Sequence, residues 1–434
     1  MNLFARFKKD YYNYLISIIV PALVSGLSIP VFKRLLGAEG YGHFSIWLNS
    51  ILIITALLSG WIMQGILRFY SLSSNKQLFS RHALLISIIT QAIFFIPSVL
   101  CFFYLSNDIV LALLCSVSLV TCSLQFTVLP IVQSGFDSKK IIKSEMIRVL
   151  SYVLIATILL LFAKGNYLYF LFTAIIISYA FSVIYLLKNA MLPLAGENKN
   201  VYDKEEMKKL AMQFFKYAGP LILWFVLAYL LSYIDKLFMF KKIGAEVQGN
   251  YQAIFDLLSR SITILLTPII TSMFPILAAN YEKGNRNEIR GLIKKIILLE
   301  FAGFGIVSVL YWWFGADLMI VILKTPDTLT YKWMGFITIA GTFIWQIGIV
   351  IQKRYELQLK NLFLLGMVSL AFAGQLVFYF VFQKYVEPLL YPLGFLLSAI
   401  LYVLFISLPE IKTKFSFLLK NGIIFLDKNK RNPK

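Results

Sequence analysis

The chain has 434 residues, 59% of them hydrophobic and only 14% charged, with a formal net charge of +20 and a mean hydropathy of +0.78. A soluble domain of this length would carry too apolar a surface to dissolve, so the composition excludes that class and indicates a polytopic membrane protein. In such a protein, excess Lys and Arg mark cytoplasmic loops, and no nucleic acid is expected as a partner.

Twelve apolar runs approach or exceed the ~20 helical residues that cross a ~30 Å hydrocarbon core. The first six lie near 11–32, 43–66, 83–105, 108–132, 149–163 and 167–187. The second six lie near 217–240, 250–277, 296–316, 333–351, 361–382 and 388–408. The first run holds Pro21 and Pro30, lacks a small-residue cleavage site and is too long for a cleaved signal. With the N-terminus in the cytoplasm, 31 of the 41 Lys and Arg residues fall on inner segments and eight on outer loops. That asymmetry places both termini inside. Cys101, Cys115 and Cys122 sit in apolar runs, which argues against disulfides. His43 and His82 are too few and too far apart for a metal cluster, and no phosphate-binding G-x-x-x-x-G-K-[ST] is present.

Between the first and second runs the chain reads "LGAEGYGHF" (36–44). Between the seventh and eighth it reads "IGAEVQGNY" (243–251). Gly37, Ala38, Glu39 and Gly42 recur as Gly244, Ala245, Glu246 and Gly249, and a basic pair precedes each copy, Lys33-Arg34 and Lys241-Lys242. "YYNY" (11–14) and "FFKY" (214–217) open the first and seventh runs; "VQSGFD" (132–137) and "IQKRYE" (351–356) close the fourth and tenth. Six spans per copy is an even number, so the copies enter from the same face and are parallel repeats. The expected fold is all-α: twelve transmembrane helices in two six-helix lobes around a central cavity. The N-terminal lobe is 1–187, a cytoplasmic linker 188–216, the C-terminal lobe 217–408 and a basic cytoplasmic tail 409–434. Within the linker, "GENKNVYDKEEMKKL" suits the start of an amphipathic surface helix, and the tail, mixing Lys with Phe, Leu and Ile, suits the anionic inner leaflet. The repeated loop itself reads as a tight outer turn, with Gly37 and Gly244 as left-handed helix caps and Glu39 and Glu246 at the positive end of the next helix.

Ionisable groups within spans are costly and mark function or closed networks. The seventh run carries Asp235 and Lys236, under ~10 Å from its outer end. The eighth carries Asp256 and Arg260, spaced i, i+4 on one face, with Arg260 near ~14 Å depth. Shifted by 207, these fall on Asn49 and Ile53, so the second copy holds charges that the first does not. Glu300 lies about one turn inside the ninth run, Arg68 ends the second and Arg148 begins the fifth. An Asp235–Arg260–Asp256 network joining the seventh and eighth spans is the structural alternative to a substrate site. Gln64, Gln91, Gln125, Gln252, Gln346 and Gln375 punctuate the spans and suit either sugar hydroxyls or helix–helix bonds.

The twelve spans, "LLGAEGYGHF" after the first, "YIDKLFMFKKIGAEVQGNY" from the seventh into the eighth, and "YEKGNRNEIRGLIKK" after the eighth resemble the Wzx-type polysaccharide flippases. These belong to the multidrug/oligosaccharidyl-lipid/polysaccharide exporter superfamily. The resemblance covers nearly the whole chain and carries no catalytic signature. It implies a bacterial inner-membrane protein that moves undecaprenyl-diphosphate-linked oligosaccharide from the cytoplasmic to the periplasmic leaflet for O-antigen or capsule. It also implies a polysaccharide polymerase and a chain-length regulator as partners. Related lipid flippases place Arg on the eighth span in the central cavity, the position that Arg260 resembles; they also use Arg on the first two spans, where this chain has only Arg68.

The candidate substrate-binding residues are Arg260, Lys236, Arg68, Arg148, Gln64 and Gln252. Asp235, Asp256 and Glu300 are candidates for proton or sodium coupling or for a charge network. No catalytic residue, metal site or bound cofactor is expected. The competing reading is a cation-coupled multidrug exporter of the same superfamily. A membrane polymerase or glycosyltransferase is disfavoured, because every outer loop is short and poor in carboxylates.

Overall fold

In the computed structural model the first helix, α1 (Leu3–Phe69), runs through both of the first two apolar runs and is interrupted once, at Gly37. There φ is 71° and ψ 175°, a positive-φ backbone that glycine adopts freely and other residues do not. The positive φ matches the expected cap; the extended ψ makes Gly37 a sharp hinge between two helical arms rather than a left-handed cap. Gly244, at φ 122°, is the corresponding break in the second half. The structure describes residues 3–135, 138–162, 165–191, 204–358, 360–382, 384–385 and 387–408. Phe136 and Asp137 of the "VQSGFD" match, residues 192–203 of the 188–216 linker and the 409–434 tail lie outside these.

The helices that follow are α2 (Lys76–Ser106), α3 (Ile109–Ser134), α4 (Ser138–Phe162), α5 (Tyr167–Leu186), α6 (Lys204–Leu231), α7 (Ile234–Lys242), α8 (Ala245–Glu282), α9 (Arg286–Leu310), α10 (Ala316–Leu323), α11 (Leu329–Leu357), α12 (Asn361–Phe382) and α13 (Leu390–Leu408). Ten segments among the described residues are long and apolar enough to cross a membrane. The first, Gly26–Leu72, contains the Gly37 hinge, and α1 as a whole has an arm of spanning length on either side of it, 3–36 and 38–69, so it supplies two crossings. α8, at 38 residues, is a further helix of spanning length. The expectation of twelve crossings is met only with both of these counted.

Three boundaries differ from the sequence expectation. The fifth run begins at Ser138 rather than near 149, because "SKKIIKSEMIR" has ordinary helix formers and only its charges stop an apolar count. Arg148 therefore lies ten residues inside α4 and not at its start. The seventh run is two helices, broken at Ser232 and Tyr233. The stretch "KEEMKKLAMQFF" is not a separate surface helix but the first turns of α6. Its apolar positions Met207, Leu210, Ala211 and Phe214 recur at i, i+3, i+4 and i+7 and pack on Ile62, Ile66 and Phe79.

Gly37 and Gly244 lie at one end of the bundle, the glycine face. Arg68, Lys76 and Arg286 lie at the other, the basic face. Toward the glycine face one continuous cluster joins both halves of the chain, from Phe32, Phe44 and Phe172 to Tyr251, Phe255 and Phe395. Toward the basic face the described residues form four further clusters. One joins α1, α2, α3 and α6 around Phe214, and one joins α6, α11, α12 and α13 around Trp224 and Tyr402. A third joins α8, α9 and α11 around Met273, and the last joins α3, α4 and α5 around Val183. The bundle is thus knitted across both halves at the glycine face.

One polar chain ties the second of these clusters. Tyr402, fully buried, donates to Gln352 Oε1 at 2.6 Å and accepts from Trp224 Nε1 at 3.3 Å. Gln352 in turn donates to Glu356 at 2.6 Å. The Trp345 and Tyr402 rings lie 5.1 Å apart. Tyr402→Phe keeps the ring and removes the hydroxyl, and interhelical hydrogen bonds in membranes contribute about 0.5–1.5 kcal/mol. The expected result is a thermal midpoint in detergent a few degrees lower, with a larger fall for Tyr402→Ala; an unchanged midpoint for both would show that this chain does not hold α6, α11 and α13 together.

Candidate functional site

The two repeated turns touch each other. A Cβ added at Gly249 would strike the backbone carbonyl of Ala38, and one added at Gly42 would strike that of Ala245 and come within 2.8 Å of Gln248 Oε1. Ala38 and Ala245 are repeat equivalents, as are Gly42 and Gly249, so each copy's alanine meets the other copy's glycine. Each pair is spaced as small-x-x-x-small, the pattern that lets two helices approach backbone to backbone. The result is a self-complementary seam between the second arm of α1 and the start of α8. The sequence repeat revealed the halves; it did not reveal that the two copies are each other's partners.

Polar bonds close the same seam. Gln248 donates to Ser45 Oγ at 3.2 Å, and the hydroxyls of Ser50 and Tyr233 lie 2.9 Å apart. Tyr41 donates to Asp256 Oδ2 at 2.9 Å. Lys33 Nζ and Arg34 Nη2 donate to the carbonyls of Leu323 and Ile322, at 2.8 and 3.0 Å. Those carbonyls end α10, where the helix dipole favours cations and the last C=O groups have no intrahelical partner. The basic pair noted in the sequence thus serves as a clasp from the first half onto the second. Glu39 and Glu246 are exposed at the starts of their helices, as the turn reading requires.

Below the seam lie the in-span charges, in two hydrogen-bonded groups, with Lys236 of the first within electrostatic reach of Asp256 of the second. Asp235 and Lys236 of α7 are 0% and 2% exposed, with Nζ 3.8 Å from Oδ1. Tyr251 donates to Asp235 Oδ2 at 2.7 Å. Lys236 donates to the Ser232 carbonyl that the α6–α7 break leaves open, and its ammonium lies 3.3 Å from the Phe255 ring centroid. This group faces protein on all sides and fastens α7 to α8, so Lys236 is placed in a closed cluster and not on a pathway wall.

Asp256 and Arg260 form the other group. Arg260 is 44% exposed and 3.9 Å from Asp256 Oδ1, a loose ion pair. It also lies within electrostatic reach of Tyr152 on α4. One turn back along α4, Arg148 donates to Glu145 Oε2 at 2.6 Å and packs its guanidinium over the Tyr179 ring. Glu145 accepts from Gln125 at 3.0 Å, and Gln125 accepts from Ser182. Arg148 lies fourteen residues from the end of α4 and Arg260 fifteen from the start of α8, roughly 20 Å along each helix from the glycine face. Two guanidinium centres, one from each half, therefore sit at similar mid-depth. Glu145 was missed in the sequence because the fifth run was read as starting after it; its i, i+3 spacing to Arg148 was the signal.

The remaining candidates scatter. Gln64 is half-buried on α1, and Gln252 is buried with its Oε1 lacking a hydrogen-bond partner among the described residues. Glu300 is fully buried in α9, and neither of its carboxylate oxygens has a hydrogen-bond partner there. Arg68 lies far from these, at the basic end of α1, with its guanidinium 6.0 Å from the Tyr217 ring centroid. Gly249→Leu should force the seam apart, because the colliding atom is backbone and cannot swing away. Ser45, 3% exposed and bonded across the seam, is the reporter. In a background lacking Cys101, Cys115 and Cys122, Ser45→Cys should react several-fold faster with a membrane-impermeant maleimide when Gly249→Leu is added; equal rates would show that the seam does not close this face.

A family model described as "Polysaccharide biosynthesis protein" matches residues 7–281. No curated protein sequence matches the chain. Among solved structures, the chain is similar to an outward-facing multidrug resistance MATE family transporter of the MOP superfamily, with TM-score 0.67 and 12% identity over 95% of this chain and 96% of that one. It is similar to a point mutant of the Vibrio cholerae MATE transporter VcmN, with TM-score 0.67 and 14% identity over 94% and 96%. It is also similar to a MOP superfamily transporter from Pyrococcus furiosus whose binding pocket is described as having reversed polarity, with TM-score 0.64 and 13% identity over 93% and 95%. At such identities the likeness shows the fold alone, an all-helical architecture shared with these transporters. The family model spans well over half of the sequence, and with it the chain belongs to the polysaccharide biosynthesis protein family.

Proposed function

We propose that this transporter is a flippase that carries undecaprenyl-diphosphate-linked oligosaccharide repeat units from the cytoplasmic to the periplasmic leaflet, for O-antigen or capsule assembly. The observation that carries the reading is Arg260: a half-exposed guanidinium at mid-depth, 3.9 Å from Asp256. A guanidinium fork matches phosphate oxygens in pairs. Each acid placed at this depth, Asp256 and Glu145, already faces an arginine, so the multidrug reading is the weaker one.

The excess of Lys and Arg puts the basic face in the cytoplasm. The knitted glycine face is then periplasmic, and the conformation is closed to that side. Transport requires the two six-helix lobes, 1–187 and 217–408, to rock so that the seam parts while the basic face closes. The glycan crosses between the lobes while the polyprenyl tail stays in lipid. No bond is made or broken. The polymerase and chain-length regulator act on the delivered unit and are the proposed partners.

Ion coupling, by proton or sodium, is assigned to Glu300 among the three acids. Asp235 is held by Tyr251 and Lys236, and Asp256 by Tyr41 and Arg260. Glu300 alone of the three has both oxygens without a hydrogen-bond partner among the described residues. A buried carboxylate in that position is stable only when neutralised.

Two outcomes test the reading. Arg260→Ala should lower surface glycan several-fold at normal protein level, with lipid-linked units accumulating on the inner leaflet, and Arg260→Lys should restore part of it. Full glycan output from Arg260→Ala, or robust export of cationic dyes from an efflux-deficient host, would sink the assignment. Glu300→Gln should leave substrate binding intact and make reconstituted transport insensitive to an imposed proton or sodium gradient; a gradient response equal to wild type would remove Glu300 from the coupling step.

A further inference from the structure

Arg68 belongs to a different site from the one the sequence suggested. On the basic face, the end of α1, the middle of α6 and the start of α12 enclose a cleft of about 610 Å³. Arg68 enters it from α1, Lys216 from α6 and Lys360 from the turn before α12. All three are exposed, and among the described residues none pairs with a carboxylate. Three cations gathered without an acid repel one another, and the arrangement is relieved by a bound anion. α12, 22 residues long, begins in the cleft at Asn361, so its first N–H groups and the positive end of its dipole add to the same field.

The rest of the wall is apolar. Phe69, Pro220, Leu362 and Phe363 line it, and Leu362 is 71% exposed. Phe215 and Leu223 on α6, at 61% and 50%, continue an exposed apolar surface from that level into the span. An anionic head and an apolar body would therefore both find their match. Arg68 is the last basic residue of α1, at the level where lipid phosphates lie. Tyr217 lies under its guanidinium, Phe69 packs edge-on to Tyr217 at 5.5 Å, and Phe69 stacks on Phe214 at 6.1 Å. The cation is thus backed by a fixed aromatic stack rather than free to sweep through solvent.

We propose that this cleft docks the phosphate headgroup of an anionic lipid from the leaflet at the basic face. The recognised chemistry is a phosphate ester on an apolar chain, supplied by a membrane phospholipid or by a polyprenyl diphosphate. The site joins the two halves: Arg68 and Phe69 come from the first, and Lys216, Lys360 and the α12 N-terminus from the second. A lipid held there spans the junction between the halves at the basic face. The inference does not depend on which cargo is carried.

The test uses the full chain in neutral detergent and native mass spectrometry. The probes are phosphatidylglycerol, phosphatidylcholine, undecaprenyl diphosphate and inorganic pyrophosphate, each titrated separately. Wild type should retain phosphatidylglycerol or undecaprenyl diphosphate several-fold over phosphatidylcholine, with free pyrophosphate displacing neither at equal concentration. Whichever of the two is held more tightly identifies the source. Combined Arg68→Gln, Lys216→Gln and Lys360→Gln should abolish the preference, while Lys283→Gln, Lys294→Gln and Lys295→Gln, exposed on the same face, should leave it. If the triple variant unfolds, Lys216→Gln and Lys360→Gln singly should each lower it. Equal retention of phosphatidylcholine, binding of pyrophosphate without lipid, a preference unchanged by the cleft variants, or equal loss in the control set would overturn the proposal. Glycan export is not among the readouts, so failure here leaves the flippase reading standing, and failure of that reading leaves this one.

Discussion

The bundle depends on one close approach: two helices meeting backbone to backbone where each copy of a short repeat places its alanine against the other's glycine. Contact of this kind is available only where neither helix carries a Cβ that intrudes. It is short-ranged and apolar. The polar bonds around it reach carbonyls at a helix end, as Lys33 and Arg34 do at α10, or the Asp256 carboxylate, as Tyr41 does. The Asp235–Lys236 and Glu145–Arg148 pairs lie within α7 and within α4, where they fix side chains inside one half and do not resist movement between halves.

The continuous core follows from the same geometry. Near the glycines the helices are pulled together and one apolar cluster runs through both halves. Farther from them, among the described residues, α1 takes Phe214 of α6, and α8 takes Ile293 of α9 and Val350 of α11.

Much of the fold was legible because membrane spans and repeats leave strong one-dimensional marks. The glycine positions, the six-span period and the basic asymmetry needed no structure. Boundaries were less legible where they depend on backbone hydrogen bonding rather than on transfer to lipid. α4 continues through "SKKIIKSEMIR" because those residues bond as a helix regardless of hydropathy, and that moved Arg148 inward and exposed the role of Glu145. Site residues were legible as a class and not by position. Hydropathy marked Lys236 and Arg260 alike as charges in spans, but only three-dimensional packing separates a lysine enclosed by Asp235, Ser232 and Phe255 from an arginine left half-exposed. Arg68 gained its meaning from Lys216 and Lys360, residues nearly 150 and 300 positions away that no local pattern links to it.

Asp256 occupies the point where site and seam meet. One of its oxygens accepts from Tyr41, across the seam, and the other faces Arg260, toward mid-depth. The two attachments share one carboxylate, so they are linked: whatever weakens one alters the charge available to the other. On the proposed function, a diphosphate that draws Arg260 away leaves Asp256 with the neutral Tyr41 donor and the more distant charge of Lys236. A carboxylate losing its nearer cation gains from contact with water. Parting of the seam supplies that water, and it also releases Tyr41. Cargo binding would thus favour the open seam by a differential interaction with the two states, which is the condition any ligand-driven conformational change must meet. The first half carries Asn49 at the equivalent place, where its amide bonds back to the Ser45 carbonyl in its own helix. The coupling therefore resides in one half only, and the pseudo-symmetry of the seam is broken at the residue where the substrate would be read.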